Sequence, residues 1–537
     1  MTPAQPPAQA QAHRPYSASW VTRSVFSNWF GLTANLLIAF FLSPFVVHRL
    51  GDAAYGIWAL VLQLTGYMGV ADVSLRSALV RFVSRLRAQQ DNKGLSELMS
   101  STLLLYLACA GICLIGGGLL AILALPHLHI PSHLIADARI TLLVATLILA
   151  TDFAFATFQG CLAGLSRWDL RNLVAVAVLL LRSVLTVAVL LANHGLVALA
   201  FVQLFASLLG HVAEVYIVRW QLPDLRLSLR AFKKRFMRPV LSHSFNSFLI
   251  ALGVGVNYEV DAIVIAVFLP INQVTYYVIG FNLVKYLRTL INASSMIVAP
   301  LASHLEAEGD PQGISRLFYT GNKYVLLLAY LGCAALLCLG TDFIHVWMGE
   351  DYARHAHAVI LLLTFGLFFS FTENIGAHML FGLSKHRVNV WCTGSEALLN
   401  LAASILLVRR FGIYGVAAGT TLAAILVRGW FFPQACLKLL NLRWKEYLRT
   451  AFAPTLVPTL AFAAGALMVR YLLPALNYKA LFLAAMGGFL VWIPALAFFG
   501  LNSEERKQLA RAVTSRLPAF APDGKRAVAV AVSEGGK

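Results

Sequence analysis

Long apolar segments recur along the chain from residue 24 to residue 500, and short loops rich in basic residues separate them. A helix that crosses a bilayer needs about 20 apolar residues, and windows such as 26–47, 101–125 and 481–500 supply that length. Strands of a membrane β-barrel would alternate polar and apolar residues, and these segments do not alternate. Because only helices and closed barrels satisfy their backbone within lipid, we predict an all-α polytopic membrane protein.

The overall composition supports a chain embedded in lipid. Of the 537 residues, 59% are hydrophobic and only 12% are charged, which is about half the charged fraction of a typical soluble domain. The net charge of +18 lies in short loops and in the tail rather than in a basic domain interleaved with aromatic residues, so we predict no nucleic-acid partner. The seven cysteines lie in or beside apolar segments, and they predict neither a disulfide framework nor a metal site.

The basic residues orient the predicted spans. Of the 42 Lys and Arg residues, 30 lie before the first span, in the loops from even to odd spans or in the tail. Only 7 lie in the opposite loops, and 5 lie within spans. Because basic loops stay in the cytoplasm, both termini are predicted to be cytoplasmic. The fourteen predicted spans are 24–47, 54–80, 101–125, 140–163, 172–192, 196–218, 241–268, 274–302, 324–341, 357–381, 389–408, 413–432, 450–469 and 480–500.

An internal repeat divides the chain. Residues 84–98 and 303–317 are identical at seven of fifteen positions at a constant offset of 219. Six predicted spans separate the two segments, so both halves have the same orientation, an arrangement typical of transporters with a substrate path between the halves. We predict two parallel six-helix lobes plus two C-terminal helices. The predicted organisation is a disordered leader (1–23), an N-lobe (24–220), a basic linker (221–240), a C-lobe (241–432), two extra helices (433–500) and a tail (501–537).

Ionisable residues within spans are costly, by at least about 2.5–3.5 kcal/mol each, so they normally face a cavity or a partner. Asp72 and Arg76 are four residues apart on one helix and are placed to pair with each other. Lys285 and Arg288 share a helix face that has no acid within a turn, so they need an external anion or acids from another helix. Glu259 and Asp261 point apart, and one of them can serve as a cation or proton site.

The remaining intramembrane bases, Arg182 and Arg428, are isolated within their spans, and both substrate contact and a salt bridge remain open for each. We expect Asp152, Glu214, Glu373 and Glu396 to be partners for such bases. The predicted site therefore contains cavity bases and acids that pair with them or bind a coupling H⁺ or Na⁺, without any other cofactor. The bases are Arg76, Arg182, Lys285, Arg288 and Arg428, and the acids are Asp72, Glu259 and Asp261.

Two segments near the N-terminus resemble a known family. Residues 45–60 contain Tyr55-Gly56-Ile57-Trp58, and residues 66–83 contain Asp72-Val73-Ser74-Leu75 before Ala78-Leu79-Val80-Arg81. Their order is similar to the opening of the polysaccharide-biosynthesis proteins, the Wzx-type lipid-linked oligosaccharide flippases of the multidrug/oligosaccharidyl-lipid/polysaccharide exporter superfamily. Ser74 stands where that family usually has Gly. Asp261, Tyr276-Tyr277 and Pro300 are similar to the opening of the family's second lobe.

The resemblance implies two lobes that alternate access, and a transporter rather than an enzyme. It implies a polyprenyl pyrophosphate that carries a sugar repeat unit, moved from the cytoplasmic to the periplasmic leaflet of a bacterial inner membrane for O-antigen, capsule or exopolysaccharide synthesis. Arg and Lys suit the pyrophosphate, and the polyprenyl tail can remain in lipid. Partners would be membrane lipids and the polymerase and chain-length proteins of the pathway. Candidate sugar contacts are Asn28, Asn246, Asn257, Asn282 and Tyr258.

Two other functions remain open from the sequence. A cation-coupled drug exporter of the same superfamily would favour an acidic cavity, whereas this chain places several bases within its spans. A membrane glycosyltransferase, an O-antigen ligase or a polymerase usually has a large external loop with catalytic groups, and the predicted external loops are short. The sequence also contains no Walker loop, Gly-x-Ser-x-Gly or His-Glu-x-x-His motif, which favours a transporter.

Overall fold

The computed structural model describes residues 18–228, 259–385 and 387–507, and only isolated residues between 229 and 258. Side chains of residues 18–30, 32, 70, 71, 73 and 74 lie outside this description. Most of the predicted leader, the basic linker and the tail therefore lie outside it, as do the side chains of Asn28, Asn246, Asn257 and Tyr258. The described residues are almost entirely helical and contain no strand, which confirms the predicted all-α class.

The N-terminal half contains long helices joined by short turns. The first helix begins at Ala18, so residues 18–23, which we assigned to the leader, are helical. The third helix continues through a π-helical turn, Leu120–Ala124, before the longest loop of this half. The helices are α1 (Ala18–Leu50), α2 (Asp52–Ala88), α3 (Asn92–Leu119), α4 (Ile135–Gly164), α5 (Trp168–Leu191) and α6 (Leu196–Gln221).

The C-terminal half repeats this pattern and is followed by two more long helices. Within the described residues, α7 covers 259–268. A π-helical segment, Ala424–Phe431, joins α13 to α14. The other helices are α8 (Asn272–Ser295), α9 (Val298–Ala307), α10 (Pro311–Met348), α11 (Glu350–Ser370), α12 (Asn374–Gly382), α13 (Arg387–Ala423), α14 (Phe432–Leu439), α15 (Trp444–Tyr447), α16 (Ala453–Leu472) and α17 (Tyr478–Ala495).

Ten helical segments among the described residues are long and apolar enough to cross a membrane. One of them, Arg387–Leu439, covers two predicted spans, 389–408 and 413–432. The chain turns between them at Gly412, whose φ of 60° and ψ of −140° are accessible to glycine at little cost. The predicted span 274–302 is interrupted after Ser295, where α8 ends and α9 follows. The structure is thus a polytopic helical membrane protein, and the number fourteen stays a prediction.

The internal repeat is visible in the helix boundaries. Helices α2 and α9 end at residues 88 and 307, and α3 and α10 begin at residues 92 and 311, so both pairs keep the offset of 219. Asp91 caps α3 by accepting a hydrogen bond from the Gly94 N–H at 2.7 Å. Asp310 caps α10 in the same way from Gly313 at 2.8 Å. A Cβ at either glycine would lie about 2.1–2.2 Å from its capping carboxylate oxygen, so both caps require glycine there.

The two halves meet at the end of the molecule that carries Asp52, which we call the Asp52 end. This end contains the α1–α2, α3–α4, α7–α8 and α10–α11 connections. One buried apolar cluster crosses between the halves here, with Val47 and Ile57 from the first half and Ile271 and Val274 from the second. The Ile271 N–H also donates to the His129 carbonyl at 3.2 Å. Apolar burial therefore joins the halves at this end.

The opposite end, which carries Asp91 and Asp310, is organised differently. Here the described residues form two separate buried clusters, one around Leu79, Leu98 and Phe153 and the other around Phe318 and Phe432. The buried residues of the first cluster lie between Leu75 and Val240, and those of the second lie between Val298 and Ala451. We call this the Asp91 end. In the described part of the chain, the halves are thus packed together at the Asp52 end and have independent cores at the Asp91 end.

The last two long helices form a hairpin against the second half. Helices α16 and α17 approach closely at small residues, since a Cβ on Gly465 would lie 2.7 Å from the Gly487 carbonyl oxygen. Small residues allow such close backbone contact between helices in lipid. Phe462 of α16 and Leu481 of α17 share a buried cluster with Ala334 of α10. The hairpin is therefore fixed to α10, which places α17 beside the interface between the halves.

The start of the tail is anchored to α10. Glu505 accepts hydrogen bonds from the Lys323 ammonium at 2.5 Å, from the Tyr324 hydroxyl at 3.0 Å and from the Asn502 N–H at 2.7 Å. Burial alone would raise the pKa of the Glu505 carboxyl, but these hydrogen bonds outweigh it and hold that pKa below its ordinary value. The carboxylate is therefore charged at neutral pH and holds the tail to the second half.

The repeated caps predict equal stability losses in the two halves. Asp91→Ala and Asp310→Ala each remove the acceptor for one helix N-terminal N–H, which costs about 1 kcal/mol. Each should lower the thermal unfolding temperature of the detergent-purified protein, and the double variant should lower it by about the sum. Asn92→Ala, an exposed neighbour that does not cap, is the matched control. Unchanged unfolding in both aspartate variants would contradict the role of the caps.

Candidate functional site

Lys285 and Glu259 form an ion pair at the interface between the halves. The Lys285 ammonium lies 3.7 Å from a Glu259 carboxylate oxygen, and Glu259 belongs to α7. This contact matches one of the two alternatives that the sequence left open, in which acids from another helix pair with the α8 bases. The Glu259 side chain packs toward Gly66 of α2. A Cβ added to Gly66 would lie 3.7 Å from the carboxyl carbon of Glu259. The Lys285 side chain remains 46% exposed. Its ammonium is therefore accessible to an anion at the boundary of the two halves.

Arg288 lies one turn further along α8 and interacts with acids of the second half. Its guanidinium interacts electrostatically with Glu396 and Glu373. Together with Lys285 and Glu396, Arg288 lines a small pocket of about 50 Å³ in the second half, large enough for ordered water. We call it the C-half pocket. The two bases of α8 thus have acidic neighbours from other helices and also face a polar pocket.

Arg428 is fully engaged by protein groups. Its guanidinium donates to Glu396 at 2.5 Å, to Glu373 at 2.6 and 2.8 Å, and to the Thr393 hydroxyl at 2.9 Å. Arg428, Glu373 and Glu396 are all buried. Of the two alternatives that the sequence left open for Arg428, substrate contact or a salt bridge, the structure shows the salt bridge. Two carboxylates neutralise the guanidinium. Its role as a substrate-binding base stays a prediction, and the geometry assigns it to holding α12 and α13 together.

Asp261 is buried among neutral polar groups. Its side chain, 1% exposed, accepts hydrogen bonds from the Tyr277 hydroxyl at 2.5 Å and the Thr420 hydroxyl at 2.9 Å. The Asn400 amide is 3.4 Å away, and the Ser404 hydroxyl donates to the Asn400 carbonyl oxygen at 3.0 Å. Hydroxyl groups from α8 and α13 and an amide nitrogen from α13 therefore converge on one carboxylate of α7, whose described hydrogen-bond partners include no base.

The N-terminal half also contains the predicted intramembrane charges. Asp72 and Arg76 form an ion pair on α2, which is the self-paired arrangement that their spacing allowed. Arg182 of α5 donates to the Gln203 side chain of α6 at 3.0 Å. Arg182 also lines a polar cavity of about 260 Å³ enclosed by α1, α4, α5 and α6. We call it the N-half cavity.

The N-half cavity contains a histidine that sequence reasoning missed. His211 of α6 lies 2.9 Å from Asp152 of α4 and 3.5 Å from Glu214. Its ring stacks on Phe155, with centroids 4.8 Å apart. We expected Asp152 and Glu214 to pair with basic residues such as arginine, whereas both lie against this imidazole. The three-residue spacing of His211 and Glu214 on one helix was a usable signal, since such residues share a face.

A large apolar cavity lies beside the polar groups of α8. Its volume is about 790 Å³. The wall comes from α1 of the first half and from α8, α10 and α17, with Phe40, Tyr286, Phe343 and Phe482 among the lining residues. Side chains of this cavity are almost entirely hydrocarbon or aromatic. The cavity therefore suits an apolar ligand chain. Helix α17 of the C-terminal hairpin forms one side of it.

A hydrogen-bonded cluster closes the Asp52 end, and the sequence analysis did not predict it. The Asp52 carboxylate of α2 accepts from the Tyr276 hydroxyl at 2.9 Å and the Tyr352 hydroxyl at 2.5 Å. Its backbone carbonyl accepts from the Thr275 hydroxyl at 2.6 Å. Tyr276 also stacks on His355, with ring centroids 4.3 Å apart. One residue of the first half thus receives three hydrogen bonds from α8 and α11 of the second half.

The predicted residues therefore fall into separate sites rather than one. Glu259, Lys285 and Arg288 lie at or near the interface between the halves, and Arg182 lies in the N-half cavity. Arg76 and Arg428 are paired with their own acids. Asn282, the one predicted sugar contact whose side chain is described, is half-buried on α8.

Comparisons with known proteins identify the family. The family model described as polysaccharide biosynthesis protein matches residues 21–306, which is more than half of the chain. This chain belongs to that family. The match includes both N-terminal segments that carry the resemblance noted in the sequence, and it confirms that prediction.

Three relatives match the chain over most of its length. The uncharacterized membrane protein EpsK of Bacillus subtilis is 22% identical over 79% of this chain and 85% of its own length. A putative O-antigen transporter of Shigella flexneri is 19% identical over 76% of this chain and 97% of its own. The probable low-salt glycan biosynthesis flippase Agl15 of Haloferax volcanii is 23% identical over 71% and 76%. The names of the last two are those of transporters, which supports a transporter rather than an enzyme.

Solved structures share the fold. The lipid II flippase MurJ, in an inward closed conformation, aligns with a TM-score of 0.67 at 15% identity, over 92% of this chain and all of that one. An inward-facing multidrug resistance transporter of the MATE family aligns with a TM-score of 0.64 at 14% identity, over 79% of this chain and 99% of that one. These likenesses confirm the predicted transporter fold.

The Arg428 network predicts a large stability loss when the base is removed. Arg428→Ala removes the base that donates hydrogen bonds to two buried carboxylates and leaves Arg288 as their described basic neighbour. Breaking a buried ion pair in this way costs about 3–5 kcal/mol. We expect a strongly lowered unfolding temperature in detergent and less protein in the membrane fraction. Arg428→Lys keeps the charge but loses the planar set of donors, so its loss should be smaller. Lys285→Ala, at a half-exposed ion pair, is the control and should change stability little. If Arg428→Ala were as stable as wild type, the assigned role would be wrong.

Proposed function

We propose that this protein is a flippase for a polyprenyl-pyrophosphate-linked oligosaccharide in a bacterial inner membrane. It moves the substrate from the cytoplasmic to the periplasmic leaflet by alternating access, for the synthesis of a surface polysaccharide. Family membership and the names of the transporter relatives support this proposal. The distribution of basic residues supports a cytoplasmic location of both termini and of the Asp91 end.

The observation that carries the proposal is the two-sided character of α8. Leu283 and Tyr286 line the apolar cavity of about 790 Å³. Lys285 and Arg288, on another face of the same helix, line the C-half pocket, whose wall combines charged and polar side chains with apolar ones. A lipid pyrophosphate joins a long hydrocarbon chain to a compact anion, so it needs these two environments side by side. Arg and Lys are the side chains that bind phosphate oxygens by charge-assisted hydrogen bonds.

The acids beside these bases explain how the substrate-free site remains stable. Glu259 is 3.7 Å from Lys285, and Glu396 and Glu373 interact with Arg288. Each base therefore has a counter-charge within the bilayer, as the cost of intramembrane charge requires. The half-exposed Lys285 ammonium is the group that an incoming pyrophosphate reaches first, and the anion then competes with Glu259 for it.

The arrangement of the halves supports entry from the cytoplasmic side. The Asp52 end is closed by the Asp52–Tyr276–Tyr352 cluster and by apolar packing between the halves. At the Asp91 end, each described half has its own core. In our proposal this is the inward-facing state, and breaking the three hydrogen bonds to Asp52 accompanies the opening toward the periplasm.

The Asp261 site is the proposed position of a coupling cation. A buried carboxylate costs free energy unless a positive charge or hydrogen bonds compensate it. The hydroxyl oxygens of Tyr277 and Thr420 lie against the carboxylate, and the Asn400 carbonyl oxygen lies 3.0 Å from the Thr420 hydroxyl. Hard cations such as Na⁺ prefer oxygen ligands of this kind. We therefore propose Na⁺ at Asp261, with H⁺ as the other outcome of the test below.

Removing both α8 bases should abolish transport without removing the protein from the membrane. We predict that Lys285→Ala plus Arg288→Ala eliminates surface polysaccharide when it replaces the wild-type gene in its own host. The measurement is gel analysis of surface polysaccharide together with immunoblotting of the membrane fraction.

Arg409→Ala plus Arg410→Ala is the matched control, because it also removes two adjacent bases, both exposed, outside the proposed site. It should leave polysaccharide at wild-type amounts. Lys285→Arg plus Arg288→Lys keeps both charges and should restore part of the activity. Normal polysaccharide in the alanine pair would refute the site, and a drug-hypersensitive deletion strain with normal polysaccharide would favour a drug exporter instead.

Substitution of Asp261 should remove the ion dependence of transport. We predict that Asp261→Asn, which keeps the size and polarity of the side chain, eliminates the acceleration of flipping by a Na⁺ gradient. The assay uses proteoliposomes and a fluorescent polyprenyl-pyrophosphate-linked N-acetylglucosamine, with dithionite quenching to count lipids in each leaflet. Asp342→Asn, whose carboxylate pairs with Arg470 away from the site, is the control. Wild-type protein that ignores the Na⁺ gradient would contradict the assignment of Na⁺.

A further inference from the structure

His211 is held between two carboxylates inside the N-terminal half. Its Nε2 atom lies 2.9 Å from Asp152 Oδ1, and its Nδ1 atom lies 3.5 Å from Glu214 Oε2. The side chains of His211 and Glu214 are only 5% and 9% exposed. Intramembrane groups of Asp, Glu and His are characteristic of proton pathways in transporters, so this cluster merits a functional explanation.

The number of protons on the imidazole decides which of these contacts are favourable. A neutral imidazole has one N–H and one nitrogen lone pair, whereas an imidazolium donates from both nitrogens. With both nitrogens facing carboxylates, only the imidazolium satisfies Asp152 and Glu214 together. Loss of the proton turns one lone pair toward a carboxylate, which weakens either the contact with α4 or the contact within α6. Proton binding and the packing of α4 against α6 are therefore linked.

The cluster has a path to water through the N-half cavity. The Asp152 side chain is 44% exposed, and both Asp152 and His211 line this cavity. The Ser207 hydroxyl bridges the two groups, at 3.0 Å from Asp152 and 3.2 Å from His211 Nε2. A cavity of about 260 Å³ is large enough for several water molecules. A proton can thus move from cavity water to Asp152 and then to the imidazole.

The other charged groups around the cavity make its net charge depend on this proton. Arg171 and Arg182 of α5 line the cavity with Asp152 and Glu214, and Arg171 also interacts with the Asp72–Arg76 pair of α2. The charges of these described groups, three basic and three acidic, sum to zero when His211 is neutral. Protonation of His211 therefore raises the net charge of this set of groups from zero to +1.

We propose that His211, with Asp152 and Glu214, is a proton-binding site that couples a pH gradient to flipping. The inference rests on the proposed flippase function and adds a second ion to it, in the other half from Asp261. An imidazole between two carboxylates takes H⁺ rather than Na⁺, since imidazole nitrogen is not a ligand that alkali cations prefer. Among the residues that the structure describes, no group of three His, Cys, Asp or Glu side chains is placed to hold a metal ion.

The test compares flipping with and without an imposed pH gradient in the proteoliposome assay described above. The expected result for the wild type is faster flipping toward the acidic side, and a one-unit gradient should bias the leaflet distribution of the probe about tenfold per coupled proton. In His211→Asn, the ratio of rates with and without the gradient should fall to about one. His211→Gln is the second variant, in case the first is poorly folded.

His378→Asn is the matched control, because His378 is a half-buried histidine of α12 outside the cluster. It should keep the wild-type response to the gradient. Glu214→Gln and Asp152→Asn should each reduce the response, since each removes one of the carboxylates that face the imidazole. Amounts in the membrane and unfolding temperatures are measured for every variant, so that a misfolded protein is recognised.

The possible failures are distinguishable. If the wild type does not flip the probe, the proposed function fails for this lipid, and proton binding is then tested by NMR. The histidine resonance that disappears in His211→Asn must titrate in the wild type, and a resonance that does not move at any pH at which the protein stays folded overturns the inference. If the wild type flips the probe but its rate ignores the pH gradient, or if His211→Asn responds like the wild type, the inference is wrong and the flippase assignment stands.

Discussion

The structure depends on the requirement that a charge within a bilayer be neutralised or hydrated by the protein itself. Arg428 meets this requirement entirely through Glu373 and Glu396, and such a saturated base holds helices together. Lys285 meets it only in part, with Glu259 at 3.7 Å and nearly half of its side chain exposed. The completeness of charge compensation therefore separates the bases that support the fold from the bases that remain available to a substrate anion.

Duplication explains the scaffold but not the polar sites within it. The caps at Asp91 and Asp310 and the boundaries of α2, α3, α9 and α10 repeat at the offset of 219. The charged residues do not follow this symmetry, since Asp261 corresponds to Leu42 and His211 corresponds to Trp430. Each half thus has the same helical frame and its own chemistry. The first holds an imidazole between carboxylates, and the second holds a carboxylate among neutral oxygens.

The interface between the halves connects these sites to movement. Asp52 receives hydrogen bonds from Tyr276 of α8 and Tyr352 of α11, and α8 also carries Lys285 and Arg288. One helix therefore links the closed Asp52 end, the polar pocket and the apolar cavity. In the proposed cycle, a change in the charge of either half alters the packing of its own helices, and α8 transmits that change to the closure between the halves. Proton binding at His211 and cation binding at Asp261 would act on opposite sides of this helix.

The sequence by itself determined the class, the internal repeat and which residues carry charge inside the spans, and it predicted the orientation of the spans. These properties depend on apolar length, loop charge and capping residues, which are all local along the chain. Only the tertiary structure decided the partners: Asp261 bonds to Thr420, 159 residues away, and Arg428 bonds to Glu373 across 55 residues. Asp52 was missed for the same reason, because its partners come from other helices, and so does Asp152, the nearer carboxylate of His211. The spacing of His211 and Glu214 on α6 was the one local signal. Periodicity places a side chain on a helix face, but only the packing of that face against its neighbours decides whether it meets an acid, a hydroxyl, water or lipid.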